Sequence, residues 1–391
     1  MFQRLGAIAL AATLLLMPAA QACPFCSVQG QTLTGEVAQA DFILYGTLAN
    51  AKPAGDNFGG GSTELVIESV VKSHDFLKDK KFVTIPRYVP PAANGDNKYL
   101  IFFYYNDGKL DPYRGEATSA NSKLPEYIKG AMEVKGKDDL TRLRYFFDYL
   151  ESPDLGISGD AYTEFGYADY KVVRQIAEKV PADTLLKWLK DPNTRASRFG
   201  LYGLMIGHSG KPEYAAELRK LLEDPDKAFS SGLDGMLAGY TLLDPKAGWE
   251  FMLGFIKDPK KDFSARYAAL KTVRFFREYR PDVISLEQSL DAIRLLLAQG
   301  DIADLPIEDL RKWGVWELTD DVLALAGKES HNTVPIVNRA ILRFALSAAS
   351  KSPKATAFVE EARKKDAKKV EFLEELIRDE QKVVPPTAPS K

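Results

Sequence analysis

The chain is poor in the residues that most often carry chemistry. Its 391 residues include 2 Cys and 3 His. Two cysteines exclude a disulfide-stapled scaffold, and three histidines leave little for a multi-ligand metal site. An excess of either charge is missing too: 52 Lys+Arg against 54 Asp+Glu give a formal net charge of −2. That balance provides no electrostatic footprint for nucleic acid or for an anionic membrane. Past residue 22, no apolar run reaches the roughly 20 residues needed to cross a bilayer. What is present is an ordinary globular composition, 45% hydrophobic and 27% charged. The length suits two or three domains.

The longest apolar run lies at the start. Arg4 precedes an apolar stretch over residues 5–17, Pro18 breaks it, and Ala20-Gln21-Ala22 is a small-x-small cleavage signal. This pattern predicts a signal peptide over 1–22 and a secreted or periplasmic product that starts at Cys23, without a transmembrane segment. Cys23 also stands where a lipoprotein cysteine would. However, Ala20 and Gln21 replace the Leu and small residue usual before such a cysteine, so lipidation ranks behind simple cleavage. At the other end, residues 381–391 are Pro-rich and read as a disordered tail.

Residues 41–105 carry strand signals. Phe42-Ile43-Leu44-Tyr45-Gly46-Thr47-Leu48 is followed by the turn Gly59-Gly60-Gly61-Ser62. Glu64-Leu65-Val66-Ile67-Glu68-Ser69-Val70-Val71 and Phe82-Val83-Thr84-Ile85 come next. Asn94-Gly95-Asp96-Asn97 then turns the chain into Tyr99-Leu100-Ile101-Phe102-Phe103-Tyr104-Tyr105. Short strands without helical periodicity between them predict a small antiparallel barrel or sandwich. The segment 23–120 resembles the netrin-like, tissue-inhibitor-of-metalloproteinases type of OB barrel. The resemblance rests on the cysteine at the expected mature N-terminus, on Ala40-Asp41-Phe42-Ile43-Leu44-Tyr45-Gly46, on Ile67-Glu68-Ser69-Val70-Val71-Lys72 and on Lys98-Tyr99-Leu100-Ile101-Phe102-Phe103. It implies an OB fold and, through the N-terminal cysteine, a metalloprotease as partner. Members of that family begin Cys-x-Cys and tie both cysteines to distant partners. Here the spacing is Cys23-Pro24-Phe25-Cys26, with no third cysteine.

After an entry segment over 121–144, a repeat sets in. Leu150-Glu151-Ser152-Pro153, Leu189-Lys190-Asp191-Pro192, Leu222-Glu223-Asp224-Pro225 and Ile256-Lys257-Asp258-Pro259 recur at intervals of 39, 33 and 34 residues. Such a period indicates stacked helical hairpins. Each Pro stops a helix, because it lacks the N–H that the ladder needs. A second helix rich in small residues follows, as in Ser264-Ala265-Arg266-Tyr267-Ala268-Ala269-Leu270. These segments look like HEAT-type repeats, which implies an α-solenoid over 145–380 that offers extended faces to protein partners. The expected fold is therefore β + α multidomain: an OB-like antiparallel barrel followed by a HEAT-like solenoid.

Cys23-x-x-Cys26 is the one reactive constellation, and three readings stay open. A disulfide is the default for an exported chain. Metal capture is the second: after cleavage, the Cys23 amine, with a pKa near 7.7–8.0, and two thiolates would offer soft donors to Zn or Cu(I). A fourth ligand would have to come from a partner. Thiol–disulfide exchange is the third, although the pair precedes every strand rather than opening a helix in a βαβ unit. Ser27 stands where a haem-attachment motif needs His. His74, His208 and His331 fall in no metal-spaced pattern. His208 sits in Gly207-His208-Ser209-Gly210, which reads as an interhelix turn. Asp160 and Glu164 lie four apart on one helix face and read as a solvated face rather than an acid–base pair. The chain is thus expected to be a non-enzymatic protein-interaction protein that needs no cofactor, with a metal- or thiol-active N-terminus as the alternative.

Overall fold

The computed structural model describes residues 23–26, 30–55, 60–92, 97–224 and 231–383. The expected signal peptide, the turn at Asn94-Gly95-Asp96, Gly59, Pro225 and the segment from 384 onwards lie outside the described residues. Among the described residues, no helix is long and apolar enough to cross a membrane. The chain divides into two compact units, 1–180 and 181–391.

The first unit is built on a five-stranded antiparallel sheet. Its strands are β1 (Phe42–Pro53), β2 (Gly61–Lys72), β3 (Phe82–Ile85), β4 (Lys98–Asn106) and β5 (Lys109–Thr118), in the order β3-β2-β1-β4-β5. β1 and β4 are central, and each contains an unbroken run of buried residues, Phe42 to Tyr45 in β1 and Leu100 to Phe103 in β4. A strand covered on both faces takes such a continuous apolar run, where a half-exposed strand would alternate. One face packs Phe42, Leu44, Leu65, Val83, Ile101 and Phe103 into a core. Phe42 stacks on Phe103 with ring centroids 4.7 Å apart. Gly46 sits at a register shift between β1 and β2, where a side chain would overlap the Val66 carbonyl.

Five helices accompany the sheet: α1 (Leu33–Gln39), α2 (Leu124–Val134), α3 (Asp139–Phe147), α4 (Leu155–Tyr167) and α5 (Tyr170–Ala177). The expected entry segment 121–144 therefore folds as α2 and the start of α3. The chain divides at 180/181 rather than near 120, because α2, α3 and α4 bury Tyr127, Ile128, Phe146, Phe147 and Phe165 within the first unit. Thr32 caps α1 by accepting from Gly35 N, and Asp154 caps α4 by accepting from Gly156 N and Ile157 N.

The second unit is helical. It runs α6 (Ala182–Lys190), α7 (Phe199–His208), α8 (Glu213–Glu223), α9 (Leu233–Leu243), α10 (Pro245–Lys257), α11 (Phe263–Tyr279), α12 (Leu286–Leu297) and α13 (Asp304–Trp313). After these come α14 (Thr319–Leu323), α15 (Glu329–Asn332), α16 (Pro335–Ala348), α17 (Pro353–Lys365) and α18 (Ala367–Val383). Helices pack on those one to three places along the chain: α7 on α9, α9 on α10 and α11, α13 on α16. α7 and α9 approach very closely. A side chain added at Gly235 or Gly239 would overlap the Gly200 or Gly203 carbonyl, and a Cβ at Gly203 would lie 2.8 Å from Met236 Cα.

The repeat motifs fall between helices. Asp191, Asp224 and Asp258 are the C-caps of α6, α8 and α10, each followed by proline. Asp191 and Asp258 then turn the chain by accepting from Asn193 N at 2.8 Å and Lys260 N at 2.9 Å. Ser152 and Pro153 lie in the connection between α3 and α4, in the first unit.

Candidate functional sites

The cysteine segment lies against α4. Cys23 and Cys26 are joined, with Sγ–Sγ 2.15 Å and Cα–Cα 5.5 Å. Cys23 N donates to Gly166 O at 3.2 Å, and Cys23 and Phe25 are each 5% exposed. The segment thus turns its first cysteine inward. Among the described residues, no group of three or more His, Cys, Asp or Glu is placed to hold a metal ion.

Beside this segment stand the two carboxylates of α4. The expectation of a solvated face is overturned: Asp160 is 6% exposed and Glu164 9%. The reason is that α1, α2 and α3 cover this face of α4 and supply partners to both acids. Leu33 N donates to Asp160 Oδ1 at 2.5 Å, and Tyr127 Oη donates to Oδ2 at 2.8 Å. Burial pushes the Asp160 carboxyl up to about 6, against the opposing pull of these two hydrogen bonds. Burial and the neighbouring Asp160 charge push the Tyr127 hydroxyl well above its ordinary value, so it stays a donor. Glu164 accepts from Thr34 Oγ1 through Oε1 and from Arg142 through Oε2, the latter at 2.5 Å. A cavity of about 250 Å³ opens beside Glu164, between α1, α2 and α3. The signal in the sequence was the neighbourhood: Ile157, Ala161 and Phe165 flank the acids on α4, and no Lys or Arg stands one turn away to pair with them on that helix.

The second unit carries a groove of about 930 Å³ between α8 and α10. Arg219, Leu222 and Glu223 line it from α8, Phe251 and Phe255 from α10, and Lys261 joins the lining beyond α10. The Arg219 guanidinium lies 4.0 Å from the centre of the Phe251 ring and pairs with Glu223 at 2.6 Å. Lys261 lies 5.7 Å from the Phe255 ring. The groove flanks two of the repeat motifs, those at Asp224 and Asp258. Sequence reasoning found those motifs and missed the groove, because its aromatics come from one helix and its arginine from another.

The histidines are placed as structural groups. His74 accepts from Phe76 N at 3.1 Å and caps a short 3-10 turn. His208 ends α7 and is 7% exposed. His331 is fully buried, with Nε2 2.8 Å from Leu297 O and Nδ1 3.0 Å from Ser330 Oγ. The aromatic run of β4 is largely interior, with Leu100, Ile101, Phe102 and Phe103 at 5% exposure or less.

No family model matches the chain, and no curated protein matches it. Among solved structures, human deoxyhypusine hydroxylase in complex with glycerol is similar at 14% identity, over 66% of this chain and 98% of that one, with a TM-score of 0.24.

Proposed function

We infer that the protein is an exported, non-enzymatic interaction protein, in which an OB-type barrel precedes a HEAT-like solenoid that holds a partner protein. The groove between α8 and α10 carries the reading. Its Arg219, Phe251 and Phe255 are the residue types that dominate the cores of protein interfaces. Helices stacked on near neighbours present such grooves as a regular consequence of repetition. The barrel reading is supported by the strand order β3-β2-β1-β4-β5 and by the approach of β3 to β5, the two edges that closure would join. Export is supported by Arg4, the apolar run after it and Ala20-Gln21-Ala22.

The test is site-specific photo-crosslinking in the native host. A photoreactive residue at Gly254, which has open space around it in the groove, is compared with one at Glu287 on α12. A discrete adduct at 254, absent at 287 and lost in Phe255→Ala, is the expected result. Equal labelling from both positions refutes the groove as the binding face. A saturable turnover lost in Cys23→Ser/Cys26→Ser would transfer the function to the cysteine pair.

A further inference from the structure

We propose that the cavity between α1, α2 and α3 in the first unit binds a small monocarboxylate with an apolar body. Its volume is about 250 Å³. At about 30 Å³ for each water-sized group, that is room for about eight non-hydrogen atoms. Its lining combines apolar and polar side chains. Ala131 and Met132 of α2 and Phe146 of α3 form an apolar side. Phe146 is fixed by edge contacts with Tyr127 and Tyr145 at 6.2 and 5.4 Å, so this side is a rigid surface.

The polar side is Arg142, Glu164 and Thr34, and it is already internally matched. Arg142 neutralises Glu164, and Thr34 occupies the other carboxylate oxygen. The Arg142 contact to Asp139 at 3.3 Å runs to a side chain 66% exposed, outside the cavity and screened by water. One further cation lines the cavity at its exposed rim. Lys135, at the end of α2, has no carboxylate partner among the described residues. An apolar lining of this size with a cation at its rim suits a ligand with a single negative charge and a short hydrocarbon or ring. A dianion lacks its second cation, and a cationic ligand meets Lys135. Pockets of this kind take their affinity from the apolar side and their orientation from the few polar groups.

The experiment is isothermal titration of the full chain with hexanoate, whose eight non-hydrogen atoms match the space, against hexanamide and hexylamine. The expected result is saturable one-to-one binding of hexanoate, with hexanamide at least fivefold weaker and hexylamine not bound. Lys135→Met keeps the length of the stem and removes the charge. It is expected to weaken hexanoate about fivefold, the size of a partly screened ion pair, and to leave hexanamide unchanged. Because Lys135 is exposed, its loss does not threaten folding, and unchanged tyrosine near-UV circular dichroism checks this. Equal affinity for hexanoate and hexanamide, hexanoate binding indifferent to Lys135→Met, or no saturable binding of any probe overturns the proposal.

Discussion

Gly203→Ala in α7 is the sharpest test of how the second unit is held together. In an unconstrained helix the change would help, because Ala is favoured over Gly by about 0.8–1 kcal/mol. Here the new methyl would lie 2.8 Å from Met236 Cα and 3.0 Å from Gly235 O on α9. Carbon–carbon contacts settle at about 3.5–4.0 Å, so the two helices must separate by about 1 Å. Forcing a methyl into a packed core costs about 1–3 kcal/mol. Net of the propensity gain, the expectation is a loss of up to about 2 kcal/mol, which for a unit of this size lowers the melting temperature by up to about 8 °C. The assay is already in the sequence. All four tryptophans, Trp188, Trp249, Trp313 and Trp316, lie in the second unit, so tryptophan fluorescence reports its unfolding alone. Gly254→Ala in α10 is the internal control, since a methyl there meets nothing within 4 Å. It should stabilise by up to about 1 kcal/mol. If Gly203→Ala raises the melting temperature as Gly254→Ala does, the close approach of α7 and α9 is refuted.

Asp160→Asn should remove a pH dependence from the first unit. The folded carboxyl titrates at about 6 and the ordinary value is 3.8. The folded state therefore holds the proton more tightly, and the stability this contributes is full below pH 3.8 and lost as pH rises through about 6. The difference of about two pKa units corresponds to about 3 kcal/mol. In calorimetry of the transition that tryptophan fluorescence does not see, wild type should fall relative to Asp160→Asn between pH 4 and 7; parallel curves would refute the buried acid. Arg266→Lys should cost the second unit about 1–2 kcal/mol, because a point charge cannot span Lys261 O, Gln299 and Asp301, which Arg266 contacts at 2.9, 2.8 and 2.9 Å. No change in the tryptophan-reported denaturation midpoint would count against that fork. Cys23→Ser/Cys26→Ser should destabilise the first unit by about 2 kcal/mol, the chain-entropy value for so short a loop. Thiol titration of the unfolded wild type should find no free thiol before reduction.

The layout of strands then helices was legible because each class of element repeats its own period. The unbroken apolar runs around Phe42 and Phe102 and the recurring Asp-Pro stops depend only on neighbours in sequence. The gathering of α1 to α4 into the first unit was not legible. It depends on contacts such as Leu33 N to Asp160, 127 residues apart, which no local pattern encodes. The same distance hid the burial of Asp160 and Glu164. A carboxylate pair on a helix looks alike whether water or Thr34 and Arg142 satisfies it. The cavity near Lys135 escaped notice for a related reason, since its lining comes from four separate helices.

One spacing in the second unit reaches beyond stability. Arg266 pairs with Asp301 and Arg274 with Asp309, each 35 residues on, and Lys271 reaches back 37 residues to Asp234. Arg343 and Glu308 are again 35 apart. Each ion pair thus reaches across at least one intervening helix of the second unit. Loss of α11 and α12 as a pair would take Arg266, Lys271 and Arg274 away together and leave Asp234, Asp301 and Asp309 without their cations. These pairs thus tie each helix to segments on either side of it, so the second unit resists the loss of any one piece.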